Sequence, residues 1–378
     1  MFEEVYGHER PRWFAREGVA QQDHYSFSRN VVHAQVAAEV KAVRTAVGIM
    51  DITAFTKVIV QGSDASKFVD SLIANRLPSE PGRMVLTHLL NNRGRIEMEV
   101  TCVRLQDNAY YFVCAAFFEQ RLLDHLQKYR DSSDNPAGIE VINHSSEWSA
   151  LTLNGPQARK VLATCTDAAL DNSAFPWLRT KQIDVAGHTC LAMRLSYAGE
   201  LGWELHMPNA AALDVYEALW KAGEPFNISD YGSFAMNVMR MEKMFKGAGE
   251  LTNEVTLPEA DVMRFVNLEK EFVGKKATQV SAEQTLPWIC VYLEVEADGK
   301  NDGNGGEAVL MNGQVVGSIA SIVFGHTVGK ILAFSYVKPE AAETGQPLEV
   351  IIAGVARSAI VRDVPLYDPD GILPKTAT

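Results

Sequence analysis

The sequence lacks any apolar run long enough to span a membrane. Its first residues, MFEEVYGHERPRWFAREG, also lack the apolar segment and small-residue cleavage site of a secretory signal. The five cysteines are scattered along the chain, without the close pairs of a zinc ribbon or a redox motif. We therefore expect a cytoplasmic protein in a reducing compartment, without membrane association.

An excess of positive charge and the usual nucleotide-binding and metal-binding motifs are also missing. The formal net charge of −12 at pH 7 argues against nucleic acid as a partner, because proteins that bind it usually carry a basic face. GNGGE at 303–307 lies between β-like runs and follows no βα unit, so it indicates a turn. There is no HExxH, and the nine histidines do not cluster. The sequence supports neither a metal enzyme nor a nicotinamide enzyme, and we expect no metal site.

Strand and helix patterns follow one another in an order that occurs twice. Each time a strand is followed by a helix, then by further strands, then by a second helix, which is typical of paired α+β modules. The main predicted elements are a helix at 36–47, a strand at 57–62, helices at 63–77 and 117–131, a strand at 149–156 and a helix at 209–223.

The segment from Pro287 onward changes character. Short β runs alternate there with turn-forming residues such as DGNGG and NG, which predicts a separate all-β unit, a barrel or a sandwich. We therefore expect three domains: a first α+β module with an N-terminal arm at 1–145, a second α+β module at 146–284, and the β unit at 285–378.

Two stretches carry acids that the hydrophobic pattern does not require. In GRIEMEVTC (94–102), strand alternation turns three apolar residues to one face and three polar residues to the other: Ile96, Met98 and Val100 against Glu97, Glu99 and Thr101. In LSYAGELGWELHMP (195–208), alternation predicts a β-hairpin, and the bend GELG leaves open whether Glu200 and Glu204 share a side. In each of the two stretches, the acids either face solvent or form part of a binding site.

A longer motif within the second stretch resembles that of a known family. The run YxGExGxE, residues 197–204, resembles the signature of the glycine-cleavage T-protein (aminomethyltransferase) family, which binds tetrahydrofolate. Further blocks resemble the branch fused to dimethylglycine and sarcosine dehydrogenases: ERPRWFAREG, YSFSRN (25–30), GRIEMEVTCVRL (94–105) and MRMEKMFKGAGELTNEVTLPEADVMRFV (239–266). VVGSIASIVFG, KILAFSYV and VPLYDPDG are similar to that family's terminal barrel. The resemblance spans essentially the whole chain.

The resemblance implies an α+β fold. It would be a three-domain cloverleaf of two ferredoxin-like-type α+β modules and a C-terminal β-barrel around a central folate channel. It also implies roles for single residues. Glu204 corresponds to the glutamate that hydrogen-bonds the pterin, and a carboxylate can accept from two adjacent N–H donors there. Tyr197 and Thr101 match residues lining the folate pocket. Glu200 belongs to the same cofactor-binding motif, where it shapes the glycine-flanked bend. Glu99 stands where the family usually has a catalytic aspartate, near the folate nitrogen that accepts carbon.

The sequence also departs from the family pattern. Glu99 is one methylene longer than aspartate, so it can act as a base or electrostatic stabiliser, or it can reshape the donor pocket. An arginine of the T-protein falls on Met236, as in the dehydrogenase branch. Only a few dozen residues precede the folate module, so we expect no flavin domain and no amine oxidation by this chain itself.

We expect a tetrahydrofolate-dependent transferase. The favoured reaction is methyl transfer, a demethylation, from a small methylated amine, onium or methoxy donor to N5 of tetrahydrofolate. One alternative is aminomethyl or methylene transfer together with a separate flavoprotein dehydrogenase. Another is a folate-binding protein without catalysis, like the iron–sulfur-assembly relatives of this fold. Those relatives carry a cysteine motif, whereas the corresponding stretch here, KGAGELTNE (246–254), has no cysteine.

Overall fold

The computed structural model describes residues 1–22 and 26–376. Tyr25, the first residue of the YSFSRN block, lies outside them. The α-helices in this part of the chain are α1 (Val31–Thr45), α2 (Ala65–Leu72), α3 (Glu119–Asp131), α4 (Ala158–Thr164), α5 (Ala212–Gly223), α6 (Ser233–Glu242) and α7 (Lys275–Glu283). The strands are β1 (Phe2–Val5), β2 (His8–Pro11), β3 (Val47–Asp51), β4 (Thr56–Gln61), β5 (Met84–Leu90), β6 (Ile96–Gln106), β7 (Ala109–Cys114), β8 (Glu140–Asn143), β9 (Trp148–Asn154), β10 (Thr180–Val185), β11 (His188–Met193), β12 (Gly202–Pro208), β13 (Ile228–Asp230), β14 (Ile289–Val295), β15 (Ala308–Met311), β16 (Gln314–Gly325), β17 (Lys330–Val337), β18 (Pro347–Ile352) and β19 (Val355–Arg362).

The first large sheet has five antiparallel strands in the order β5-β6-β7-β4-β8. One of its faces is covered by α2 and α3, and Met98, Val100 and Cys102 of β6 are fully buried in the core beneath these helices. The alternate residues Glu99 and Thr101 are half-buried on the other face. The alternation predicted for 94–102 is confirmed, and its polar face is sheltered rather than fully solvated.

The second sheet has six strands in the order β10-β11-β12-β9-β3-β13. Its core against α4 and α5 includes Trp203, Leu205 and Met207 of β12. Its strand β3 precedes β4 in the chain, yet β3 pairs with β9 and with β13. Residues placed in the first module by their order in the sequence thus complete the sheet of the second, and the boundary at 145/146 stays a prediction.

The C-terminal part is a closed barrel with the strand order β14-β17-β16-β15-β18-β19. Its interior is filled by aliphatic side chains such as Leu293, Val309, Ile331 and Val350. The predicted fold class, α+β with a C-terminal β-barrel, is confirmed. The longest described helix, α1, has 15 residues, and no helix among residues 1–22 and 26–376 is long and apolar enough to cross a bilayer.

Arg44, near the end of α1, lies at the centre of a buried ionic network. Its side chain is 4% exposed and lies 2.9 Å from Glu200 Oε1 and 2.8 Å from Glu242 Oε2. It also donates hydrogen bonds to the backbone carbonyls of Ala198 and Met239. The guanidinium therefore joins α1 to α6 and to the loop that precedes β12.

Side chains from the barrel end of the chain complete this network. The Tyr367 hydroxyl, just after β19, donates to Glu200 Oε1 at 2.7 Å, and its ring lies 4.0 Å from the Arg44 guanidinium. Thr327, between β16 and β17, donates to Glu242 through both its backbone N–H and its hydroxyl. The network thus connects α1, α6 and the motif loop to the barrel.

Replacing Arg44 by methionine should be strongly destabilising, because it leaves Glu200 and Glu242 as uncompensated buried carboxylates. We expect a loss of about 3–5 kcal/mol in the free energy of unfolding, measured by urea denaturation. Arg76→Met is the matched control. Arg76 forms an exposed pair with Glu269, and its loss should cost less than about 1 kcal/mol. Similar unfolding midpoints for the two variants would contradict this role of Arg44.

The stability of the folded protein should depend on pH through the buried Glu39. Its carboxylate accepts the N–H groups of Phe14 and Gly232, and burial raises its pKa from 4.5 to about 7. The pKa of Glu39 is higher in the folded than in the unfolded chain, so the protonated carboxyl group favours the folded state. This contribution to the free energy of unfolding is fully present below pH 4.5 and is lost as pH rises through 7. Denaturation at several pH values should show a loss of about 3 kcal/mol in the free energy of unfolding that Glu39→Gln does not share. If the free energy of unfolding changed equally with pH in the unmodified protein and in Glu39→Gln, this role of Glu39 would be refuted.

Candidate functional site

The YxGExGxE motif forms a loop followed by a strand. β11 and β12 pair antiparallel, with Met193 opposite Glu204, but residues 194–201 between them are not strand. Leu195 and Tyr197 therefore do not belong to the predicted hairpin strands. Gly199 has a φ of +77°, and a Cβ there would lie 2.3 Å from Lys243 Cγ. At Gly202 a Cβ would meet Asn154 Oδ1 at 2.1 Å. The motif glycines thus allow the loop and β12 to pack closely on α6 and β9.

Glu200 lies in the buried network around Arg44. It is 3% exposed, and its Oε1 accepts from both Arg44 and Tyr367. Burial raises the pKa of its carboxyl group, while the Arg44 charge opposes this rise. These contacts hold the motif loop in place, and the bend-shaping role of Glu200 stays a prediction. A direct contact with a cofactor stays a prediction.

Glu204 lies in the middle of β12 on the face opposite Trp203 and Leu205, which are buried against the helices. Its side chain is 15% exposed, and Oε2 lies 3.3 Å from His206 Nε2. His206 Nδ1 lies 2.9 Å from the Tyr111 hydroxyl. Because a carboxylate only accepts, this arrangement puts the histidine proton on Nε2 and makes Tyr111 the donor to Nδ1.

Burial, and to a smaller extent the Glu204 charge, raises the pKa of Tyr111 well above 10. The Tyr111 hydroxyl therefore keeps its proton, in agreement with its assignment as the donor. The Glu204 carboxylate therefore has one protein donor among the described residues and retains capacity for further donors from a ligand.

Glu99 and Thr101 lie on the half-buried face of β6, two residues apart and thus on the same side of the sheet. Glu99 is directly opposite His88 of β5, and its Oε1 lies 3.4 Å from His88 Nε2. Glu97 is the extra residue of a β-bulge, because Leu89 pairs with Met98 and Leu90 with Ile96. The bulge changes the register immediately before Glu99.

The faces that carry Glu99 and Glu204 belong to one interface between the two sheets. Met84, Val103 and Val113 of the five-stranded sheet pack in one cluster with Met193 of β11. The hydrogen bond between Tyr111 and His206 crosses this interface directly. Thr101 is the cross-strand neighbour of Val113.

Tyr197, in the motif loop, packs on the segment that follows α6. Its hydroxyl donates to the Lys246 carbonyl at 2.9 Å, and its ring stacks on Phe245 with 6.1 Å between centroids. Burial raises the pKa of Tyr197, and the Glu99 charge adds to the rise. The place of Tyr197 in one site with Glu99, Thr101 and Glu204 stays a prediction.

His88, His206 and Tyr111 were not predicted as site residues. Single histidines within strands carry no distinctive pattern, and His88 meets Glu99 only through the strand register. The spacing of Glu204 and His206, two apart on one strand, is the signal that could have found His206. At the position of the T-protein arginine, Met236 packs against the apolar cluster between α1 and α6.

No group of three or more His, Cys, Asp or Glu side chains within residues 1–22 and 26–376 could hold a metal ion. Two surface depressions lie elsewhere. One is lined by residues around 61–62 and 105–109, the other by residues around 271–277. Neither contains any of the predicted site residues.

Comparisons with known proteins address the predicted family. A dimethylglycine dehydrogenase of Mus musculus is 33% identical over 365 residues, which are 95% of this chain and 41% of that protein. The chain thus spans less than half the length of these dehydrogenases. An aminomethyltransferase of Caldanaerobacter subterraneus subsp. tengcongensis is 30% identical over 342 residues, 88% of each chain.

A solved structure resembles the fold over nearly its whole length. The glycine cleavage system aminomethyltransferase T from Bartonella henselae superimposes with a TM-score of 0.83, covering 98% of this chain and 94% of that one. Its sequence identity is 22%, so this likeness concerns the fold alone.

Family models cover both parts of the chain. The GCVT N-terminal domain matches residues 1–270, and the glycine cleavage T-protein C-terminal barrel domain matches residues 290–368. Since the first match alone covers more than half of the sequence, the chain belongs to the glycine cleavage T-protein family, whose members carry out tetrahydrofolate-dependent one-carbon transfer.

Proposed function

We propose that this protein transfers a one-carbon unit, favoured as a methyl group, from a small methylated donor to N5 of tetrahydrofolate. The observation that carries the proposal is the Glu204 carboxylate. It lies at the interface between the sheets, accepts a hydrogen bond from His206, and is partly accessible. An acceptor of this kind suits the adjacent N–H and amino donors of a pterin, and hydrogen bonds to a charged group contribute about 1.5–3 kcal/mol.

The Glu204 carboxylate is fixed in position by a hydrogen bond from His206, which is itself hydrogen-bonded to Tyr111 of the other sheet. Tyr197 and Thr101 complete the pocket wall in this proposal. Burial keeps the Tyr197 hydroxyl protonated by raising its pKa, and its bond to the Lys246 carbonyl holds the ring in place. These residues orient the folate, and alignment of donor and acceptor is the main requirement of a displacement reaction.

Glu99 takes the catalytic role. As the bond from N5 to the transferred carbon forms, N5 must lose its proton, and the Glu99 carboxylate accepts it. With an onium donor, the leaving group departs as a neutral molecule with the electron pair of the broken bond. With a neutral amine or methoxy donor, the leaving nitrogen or oxygen takes that electron pair together with the proton that N5 releases, and departs as the neutral amine or alcohol. The negative charge of Glu99 also attracts a cationic donor.

The donor is a small methylated amine, an onium compound or a methoxy compound. A second candidate is methylene transfer in concert with a flavoprotein dehydrogenase, which is favoured by the 33% identity to a dimethylglycine dehydrogenase over 95% of this chain. The non-catalytic folate-binding alternative is disfavoured because KGAGELTNE (246–254) lacks the cysteine of such relatives. A cytoplasmic location is part of the proposal, although the dehydrogenase relative is mitochondrial by name.

Glu204→Ala should weaken tetrahydrofolate binding at least tenfold, because about 1.4 kcal/mol or more of hydrogen bonding to the pterin is lost. Isothermal titration calorimetry under anaerobic conditions measures this. Glu217→Ala, an exposed glutamate on α5, is the control and should bind like the unmodified protein. Undiminished binding by Glu204→Ala would rule out the assignment of Glu204 to the pterin.

A donor screen tests the reaction type. Dimethylglycine, betaine, dimethylsulfoniopropionate and methoxybenzoates are incubated with tetrahydrofolate, and the folate product is identified by chromatography and mass spectrometry. We expect 5-methyltetrahydrofolate. The 5,10-methylene product, formed only when a flavoprotein dehydrogenase is added, would support the second candidate, and the absence of either product would favour the binding protein.

Glu99→Gln should lower kcat with the active donor about 100-fold, because the amide cannot take up the N5 proton. The matched control is Glu97→Gln on the same strand. Its carboxylate is already bound by Asn91 Nδ2 at 2.8 Å, and its substitution should change kcat less than threefold. Full turnover by Glu99→Gln would mean that another group accepts the proton.

A further inference from the structure

His88 occupies an unusual position beside the proposed catalytic glutamate. It lies on β5 directly opposite Glu99 and is fully buried, with the Phe265 ring 6.1 Å away. Neither of its ring nitrogens has a hydrogen-bond partner among the residues that the structure describes. Buried polar groups are nearly always paired, so this imidazole calls for a partner.

Glu99 is the group within reach. Its Oε1 lies 3.4 Å from His88 Nε2, but the two atoms do not form a hydrogen bond. The Glu99 side chain is 23% exposed, whereas the His88 side chain is fully enclosed. The more exposed glutamate is therefore the partner that can move toward the enclosed histidine. Hydrogen bonds of a catalytic group are often long in a free enzyme and shorten in the complex.

We propose that His88 is the positioning residue of Glu99. When tetrahydrofolate covers the carboxylate, His88 Nε2–H donates a hydrogen bond to Glu99 Oε1 and leaves Oε2 free to face N5. His88 transfers no proton in this role. The inference rests on the catalytic role proposed above for Glu99.

A histidine that serves only to fill space is the simplest alternative, and His125 shows what that looks like. It is also buried, its Nε2 also lacks a partner, and its ring packs on Tyr129 of the same helix. No carboxylate lies within ion-pair distance of it among the described residues. His88 differs by having a half-buried carboxylate directly across the strand pair.

Nuclear magnetic resonance of the histidine side chains tests the hydrogen bond without a donor substrate. In the 15N-labelled protein, His88 should be the Nε2–H tautomer, and addition of tetrahydrofolate should shift its Nε2 and Hε2 signals. The shift should vanish in Glu99→Leu, provided that calorimetry shows folate still bound. An Nδ1–H tautomer, or an unchanged shift in Glu99→Leu, would overturn the proposal.

Kinetics with the donor found in the screen separates positioning from packing. His88→Leu should lower kcat at least tenfold with the KM for tetrahydrofolate changed less than threefold. His88→Gln, which retains a donor at similar reach, should recover most of the loss. His125→Leu should alter stability but not kcat.

A double-mutant comparison completes the test. If His88 acts through Glu99, adding His88→Leu to Glu99→Gln should lower kcat by less than twofold further, whereas multiplying effects would refute the proposal. If Glu99→Gln alone keeps full turnover, the proposed role of Glu99 fails. The resonance experiment then still reports on the hydrogen bond itself.

Discussion

Arg44 is bound by two carboxylates in the dry interior of the protein, and the rest of the architecture depends on that arrangement. Removing these charges from water is costly, and the cost is offset only when every partner is in place. Glu200 comes from the motif loop, Glu242 from the end of α6, and Tyr367 from the segment after the barrel. The network therefore forms only in the assembled protein. By fixing the loop at Glu200, it also restrains Tyr197, three residues earlier in the same loop.

This division of labour explains why one short motif contains two glutamates. Glu200 is anchored to an arginine and directed to the interior, whereas Glu204 is held loosely by His206 and retains free acceptor capacity. Gly202 lies between the two glutamates. Because glycine has no side chain, β12 can approach β9 there more closely than any other residue would allow. A carboxylate that already carries strong protein bonds is a poor ligand for a new donor. The less satisfied of the two is therefore the better candidate for the pterin.

Much of this architecture could be predicted from local patterns. Alternation in 94–102 gave the buried and polar faces of β6 correctly, and the short β runs after Pro287 indicated the barrel. The roles of Glu204 and Tyr197 came from family resemblance, since a solvated hairpin explained the same residues equally well. They stay proposals, as does the role of Thr101.

Other features depend on pairings between distant segments, which local patterns do not contain. His88 acquires its significance only from the register that places it opposite Glu99. The link from His206 to Tyr111 requires the two sheets to meet. The loop at 194–201 departs from the predicted strand because Gly199 adopts a left-handed conformation and Lys243 approaches it closely.

The position of β3 has a consequence for how the chain reaches this structure. β3 lies between α1 and β4 in the sequence, but its partners are β9 and β13. Ile49 pairs with Leu153 and Val47 pairs with Ile228, so β3 can pair only after these later strands have formed. Such contacts between distant residues slow folding, because a long loop must close before the pairing repays its entropy. During synthesis the apolar strand VGIMD is exposed until β9 has emerged, and in that interval it is available for pairing with other chains. The same strand ties the two modules together, so a fragment ending after β8 would lack the partners of its own β3.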